Sequence, residues 1–195
     1  IRTRGGLMGY PNPEESPYDL FMTGHAGCSV STALGLASGD DLCGEGDRRS
    51  VAVIGDGALP SGIVFEALNN AGFLKKRLLV ILNDNDMSIA PPTGAMSHYF
   101  SRLASSKSYL KIRDFSKKVV HKLPESVGKY PRKFEKSIKE WWMGGNIFEE
   151  LGFYYVGPID GHNLDQLLPV LKNVRDADVG GPVLIHVLTQ KGKGY

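Results

Sequence analysis

Val51-Ala52-Val53-Ile54-Gly55-Asp56-Gly57 and Leu78-Leu79-Val80-Ile81-Leu82-Asn83-Asp84-Asn85 are the stretches that decide the fold. Each begins as a short aliphatic run and ends in small or polar turn residues. Consecutive apolar positions, without alternation, are expected of a strand buried on both faces of a parallel sheet. Between the runs, Ile63, Ala67, Leu68 and Ala71 recur at helical spacing over 63–74. The pattern is a strand-helix-strand unit, and such a crossover is right-handed in nearly all sheets.

Working outward, Val30 to Leu36 reads as a helix starting near Ser29, with Gly35 allowing close packing. Downstream, Phe148 to Leu151 closes a short helix with Gly152 as its C-cap, and Tyr154-Tyr155-Val156 follows as a strand. Asn163 with Gln166 resembles a capping box opening a helix that buries Leu164, Leu167, Leu168, Leu171 and Val174. Pro169 should either kink that helix or delay its start. Val183 to Leu188 is a further buried strand, and His186 within it reads as a satisfied core residue. Strands alternating with helices predict an α/β fold, three layers αβα around a doubly wound, mostly parallel sheet.

The stretch at about 90–145 breaks the rhythm. It is rich in lysine and arginine, and reads either as a solvated helical insertion or as a basic cover over an anionic ligand. Trp141-Trp142 would pack it against the sheet. No aromatic platform or recognition motif accompanies the charge, so no nucleic-acid partner is expected. The 195 residues fit a single domain with this insertion, and a net charge of +2 is unremarkable for a globular protein. No apolar run approaches the roughly 18 residues of a membrane helix, so no membrane partner is expected. Cys28 and Cys43 do not form a disulfide framework, and a reducing cytoplasm is the expected location. His25 and Cys28 lack the second pair a zinc site needs. The chain starts at Ile1 without a signal-peptide pattern, and both its ends are expected to continue into a longer protein.

In an open parallel sheet, ligands bind beyond the carboxyl ends of the strands. Gly55-Asp56-Gly57 and Asn83-Asp84-Asn85 each follow a strand directly, so both turns should lie on that edge. Asp56 and Asn85 are 29 positions apart, the length of one strand-helix-strand repeat, so their oxygens can converge. Magnesium suits them: it is a hard ion that takes one or two carboxylates and completes its shell with phosphate and water. Gly57 would let the backbone approach a phosphate, and the next helix would offer its first N–H groups. The two turns together therefore predict a Mg²⁺–diphosphate site.

The paired turns resemble those of thiamine diphosphate enzymes, and the finer likeness is to the 1-deoxy-D-xylulose-5-phosphate synthase family. Gly24-His25 with Ser29-Val30-Ser31 is similar to that family's GHSSTSIS turn, and Asn83 to Ile89 is similar to its NDNEMSI. Phe148 to Phe153 and Gly157 to His162 match FEELGF and GPxDGH, and Lys191 to Tyr195 matches KGKGY. The likeness implies thiamine diphosphate with Mg²⁺ as cofactors and a dimeric transferase of the transketolase class. Its substrates would be pyruvate, which it decarboxylates, and glyceraldehyde 3-phosphate, to which it joins the two-carbon unit.

By resemblance, Asp56, Asn85 and the Met87 carbonyl would bind Mg²⁺. Gly57, Ala58 and Asn85 would meet the diphosphate. Gly24, His25 and Ala26 would line the cofactor site, Tyr195 would reach the cofactor, and Ile89 would pack against the thiazolium ring. Arg2 would face the phosphorylated acceptor. His25 on residue type alone is equally a helix cap; the motif favours the cofactor role. Asp160 and His162 read as turn-shaping residues.

Three departures stand out. Ala26-Gly27-Cys28 replaces a Ser-Ser-Thr run and removes hydroxyls near the cofactor, Leu59-Pro60-Ser61 replaces a Met-Thr-Ala-like run, and Pro91-Pro92 follows Ile89. A proline at a helix start is benign, so the Asp56 turn should keep its geometry. The family also uses a glutamate on a pyrimidine-binding domain, expected to be absent here together with the C-terminal domain. The rival readings are a transketolase-type two-carbon transferase and a non-catalytic diphosphate-binding module.

Overall fold

The computed structural model describes residues 1–87, 94–95, 99, 146–177 and 179–195. Nearly all of the stretch at 90–145 lies outside them, as do Ile89, Pro91, Pro92, Trp141 and Trp142. The elements in chain order are α1 (Ser29–Leu42), β1 (Ser50–Gly55), α2 (Gly62–Leu74), β2 (Leu78–Asp84), α3 (Ile147–Glu150), β3 (Tyr154–Asp160), α4 (Leu164–Asp176) and β4 (Val183–Leu188). Among the described residues no helix is long and apolar enough to cross a membrane.

The strands form one sheet, ordered β1-β2-β4-β3, with every neighbouring pair parallel. The path from β1 to β2 and the path from β3 to β4 therefore cross the sheet in opposite directions. With right-handed crossovers, α2 and α4 must fall on opposite faces. Packing shows this: Val30 and Leu34 of α1 and Val64 and Leu68 of α2 share a cluster with Ala52, Ile54, Val80 and Leu82. On the other face, Leu167, Val170, Leu171 and Val174 of α4 pack on Val183, Ile185 and Val187. This is the expected αβα fold, and the strand order reverses between β2 and β4.

Two expectations about burial are corrected. Val51 and Val53 of β1 are 49% and 60% exposed, although the run is apolar on both faces. The reason is the reach of α4, whose apolar stripe, among the described residues, extends only as far as Leu79 and Ile81 of β2. Leu164 and Leu168 of α4 are also exposed. The inward stripe is Leu167, Val170, Leu171 and Val174, and Leu168 lies about 100° round the helix from Leu167. The helix starts at Leu164 and runs through Pro169, so the proline does not delay it. The carbonyl left without its donor is that of Asp165, an exposed residue that water can serve.

Helix ends follow their local chemistry. Asn163 caps α4 by accepting from the Gln166 N–H at 3.2 Å, which is half of the expected box. A full capping box stands instead at Asn146 and Glu149, at the start of α3. Gly152 follows the α3 cap with φ +87°, and the Phe153 N–H closes back on the Phe148 carbonyl at 2.9 Å. That turn lies against α2 backbone to backbone: a Cβ on Gly72 would stand 1.7 Å from the Leu151 carbonyl oxygen. Among the described residues outside its own helix backbone, nothing lies within 4 Å of where a Cβ on Gly35, expected to serve close packing, would be.

Candidate functional site

The register pairs Gly55 with Asn83, which brings Asp56 level with Asp84 just past the ends of β1 and β2. The Asp56 N–H continues the ladder to the Asn83 carbonyl at 3.2 Å. The Asn85 N–H points at Asp56 Oδ1 at 3.5 Å, a long contact that nonetheless puts the two turns side by side. Asn85 Oδ1 accepts from the Met87 N–H at 3.1 Å, folding the chain back over the same edge. The structure thus brings Asp56, Asn85 and Met87 together.

Asp56 is buried, and among the described residues it has no cationic partner. Burial pushes its carboxyl above the ordinary value of 3.8. The Asn85 N–H works against that shift, and the neighbouring Asp84 carboxylate adds to it. The sign of the effect on stability follows. Below 3.8 the group is neutral in folded and unfolded chains alike. As pH rises, the unfolded carboxyl ionises first, so the fold loses stability until the folded carboxyl ionises too. Chelator-treated protein should therefore lose stability across that window, and Asp56→Asn should remove the loss. Thermal unfolding at a series of pH values checks this; an unchanged pH profile in the variant would refute it.

The donor set fits a divalent cation that brings its own anion. Among the described residues no three His, Cys, Asp or Glu side chains gather. The available oxygens are one carboxylate, one side-chain amide and main-chain carbonyls, as expected when phosphate and water complete the shell.

Two helix N-termini flank this edge. Neither α1 nor α2 has a side-chain cap or an acidic residue in its first turn, whereas α3 and α4 have both. Ser61, at the N-cap of α2, turns its hydroxyl back to the Ala58 carbonyl at 2.7 Å. Uncapped N–H groups and the positive end of the helix dipole both favour an anion. Gly27 joins the two termini: its φ is +85°, and a Cβ there would stand 3.2 Å from Ser61 Oγ and Val64 Cγ2. The helix start lies at Gly62, so Pro60 occupies the turn before the cap instead of the first helical position.

The remaining predicted residues are placed as follows. Gly24, His25, Ala26 and Gly57 are exposed on this side of the sheet. His25 does not cap α1, whose N-cap is Cys28, so that alternative is removed. The Ala58 N–H is engaged with the Gly55 carbonyl at 3.0 Å, which leaves Gly57 as the better placed backbone of the pair. Arg2 lies 5.2 Å from the centre of the Tyr10 ring, and a Cβ on Gly24 would stand 2.9 Å from the same ring. Arg2 is thereby held one ring away from the His25 turn. Tyr195 is fully exposed and is not brought to Asp56 or Asn85. His162 accepts from the Gln190 N–H at 2.8 Å, and Asp160 accepts from the His162 N–H at 2.9 Å, in line with turn-shaping roles.

Four residues to which the sequence reading gives no part in the site, Thr189, Asp84, His186 and Tyr155, belong to its frame. The Thr189 hydroxyl donates to Asn83 Oδ1 at 2.6 Å and ties the end of β4 to β2. Asp84 Oδ2 meets His186 Nε2 at 2.8 Å, and the Tyr155 hydroxyl meets His186 Nδ1 at 2.8 Å. His186 is fully buried, as expected of a satisfied core residue.

The family model for 1-deoxy-D-xylulose-5-phosphate synthase matches residues 1–189. The chain belongs to that family. Its fold is also that of solved transketolases. The transketolase from Leishmania mexicana superposes with a TM-score of 0.52 at 22% identity, over 86% of this chain. That from Campylobacter jejuni gives 0.53 at 23% identity, over 87%. The chain spans only 20% and 21% of those two proteins' lengths.

Proposed function

We propose that this chain is the diphosphate-binding part of a 1-deoxy-D-xylulose-5-phosphate synthase that uses thiamine diphosphate and Mg²⁺. The observation that carries the reading is the buried Asp56 carboxylate, beside Asn85, without a Lys, Arg or His partner among the described residues and near two helix N-termini that lack side-chain caps. Family membership and the matched motifs support the substrate assignment: pyruvate is decarboxylated and its two-carbon remainder joined to glyceraldehyde 3-phosphate. Thiamine diphosphate supplies the carbanion-stabilising chemistry that such a decarboxylation needs.

In this reading Asp56, Asn85 and the Met87 carbonyl hold Mg²⁺, and Gly57 with the first amides of α1 and α2 takes the diphosphate. Gly24, His25 and Ala26 form the adjoining wall, and Arg2, stacked on Tyr10, offers its charge toward the phosphate of the acceptor. Ile89 follows the cation turn, where an apolar residue would pack on the thiazolium ring, and Tyr195 completes the proposed cofactor contacts. A pyrimidine-binding domain supplies the group that activates the ring, and the working enzyme is a cytoplasmic homodimer.

The full-length protein, given pyruvate, glyceraldehyde 3-phosphate, thiamine diphosphate and Mg²⁺, should release CO₂ and form 1-deoxy-D-xylulose 5-phosphate. Transfer from a ketose phosphate donor with no CO₂ from pyruvate would replace this reading with a transketolase-type one. Tight cofactor binding without either reaction would leave a binding module.

A further inference from the structure

A polar line crosses the sheet beneath the candidate site. The register pairs Tyr155 with Leu184 and His186 with Leu82, so Tyr155, His186 and Asp84 share the face covered by α2 on three adjacent strands, β3, β4 and β2. Asp56, level with Asp84, stands next in line at the end of β1. The hydrogen bonds run in the same order, with Tyr155 on His186 Nδ1 and His186 Nε2 on Asp84 Oδ2, both at 2.8 Å. The Asp84 carboxylate accepts from Nε2–H, which leaves Nδ1 to accept the tyrosine hydroxyl. The other carboxylate oxygen, Oδ1, accepts from the Asp86 N–H at 3.2 Å. Asp86 has φ +54°, a left-handed conformation uncommon outside glycine that aspartate tolerates better than most residues, and the Asp84 hydrogen bond favours it here.

Aspartate, histidine and tyrosine in a row suggest a catalytic triad, but His186 is completely buried, with no route for a substrate. The line leads instead to the turn that carries Asn85. Tyr155 is itself fixed, its ring stacked on Phe148 at 5.9 Å between centres and 1° between planes. A Cβ on Gly157 would stand 2.6 Å from the His186 carbonyl oxygen, so β3 closes on His186 at that point. Each member of the line is anchored before the last one reaches the turn.

We infer that Tyr155 and His186 are positioning residues for the cation site, acting through Asp84. They hydrogen-bond and orient Asp84, so that its carboxylate holds the left-handed turn at Asp86 instead of turning toward the cation beside Asp56. The inference rests on the Mg²⁺ reading above. It adds that the rigidity of the Asn85 turn sets which cation is accepted. Mg²⁺ demands near-ideal octahedral geometry, whereas Ca²⁺ tolerates more and looser ligands. A loosened turn should therefore lose affinity for Mg²⁺ more than for Ca²⁺.

The test is cation titration by calorimetry on the full-length protein with thiamine diphosphate present, comparing Mg²⁺ with Ca²⁺. Tyr155→Phe keeps the stacked ring and removes only the hydroxyl; His186→Leu breaks the line. Loss of such supporting partners commonly weakens metal binding by about 10–100-fold. His186→Leu should fall in that range for Mg²⁺, Tyr155→Phe should show a smaller loss, and the Mg²⁺ to Ca²⁺ affinity ratio should drop in both. A merely destabilised fold would not change the ratio. Hydrogen exchange of the peptide spanning 83–87, in chelator, should accelerate in both variants. Unchanged exchange and an unchanged ratio in Tyr155→Phe, which keeps the core packed, would overturn the inference while leaving the Mg²⁺ reading intact. Faster exchange in the variants of a protein that binds no Mg²⁺ even as wild type would do the reverse.

Discussion

Asp56→Ala should weaken Mg²⁺-dependent binding of thiamine diphosphate on the order of 100-fold or more, beyond the loss expected for a supporting residue. The substitution removes the only side-chain carboxylate proposed to touch the cation, and Asn85 is a neutral amide that cannot replace it. The fold should survive. Asp56 is buried without a cationic partner among the described residues, its ionised form is disfavoured there, and Asp84 repels it. Deleting a group that the fold itself does not stabilise should leave chelator-treated protein at least as stable as wild type. Asp165→Ala, at an exposed position in the first turn of α4, serves as a control and should bind normally. Calorimetric titration of the cofactor, with and without Mg²⁺, checks the two affinities, and thermal unfolding in chelator checks the fold; wild-type affinity in Asp56→Ala would remove the cation from this turn.

The second large effect lies in the frame. Gly72→Ala should destabilise the protein by roughly 3 kcal/mol, the upper part of the usual range for overpacking. The added carbon would stand 1.7 Å from the Leu151 carbonyl oxygen and 2.9 Å from its carbon, which are backbone atoms that no rotamer change can move aside. Gly35→Ala gives the opposite sign. Among the described residues outside its own helix backbone nothing lies within 4 Å of the added carbon, and alanine in a helix interior is favoured over glycine by roughly 0.5–1 kcal/mol. Thermal unfolding of the two variants under identical conditions should place Gly72→Ala well below wild type and Gly35→Ala slightly above. Equal melting of the two would mean that α2 and the α3 turn do not meet as described.

These contrasts also show what a sequence can carry. The β1-α2-β2 unit was readable because its strands are unbroken aliphatic runs ending in Asp56-Gly57 and Asn83-Asp84-Asn85, and its helix repeats at 63, 67, 68 and 71. The convergence of Asp56 and Asn85 followed from that unit alone. The exposure of Val51 and Val53 did not, because it depends on how far a helix that starts much later in the chain, at Leu164, reaches across the other face. Nor could Gly72 and Gly35 be ranked: both stand in helices, and only the position of Leu151 separates them. Asp84 is the clearest case. In the sequence it is the middle of a turn motif; its partner His186 is 102 positions away, and only the order β1-β2-β4-β3 makes them neighbours. Local chemistry is written locally, whereas the polar line beneath the site exists only once the sheet is assembled.

The most direct test of the cation site is a crystal structure of the full-length protein with thiamine diphosphate and Mn²⁺ in place of Mg²⁺, with the metal located by anomalous scattering. The expected result is one peak at the carboxyl ends of β1 and β2, in direct contact with the Asp56 carboxylate and Asn85 Oδ1, and with the diphosphate completing the shell. A peak elsewhere, with neither Asp56 nor Asn85 touching the ion, would contradict it.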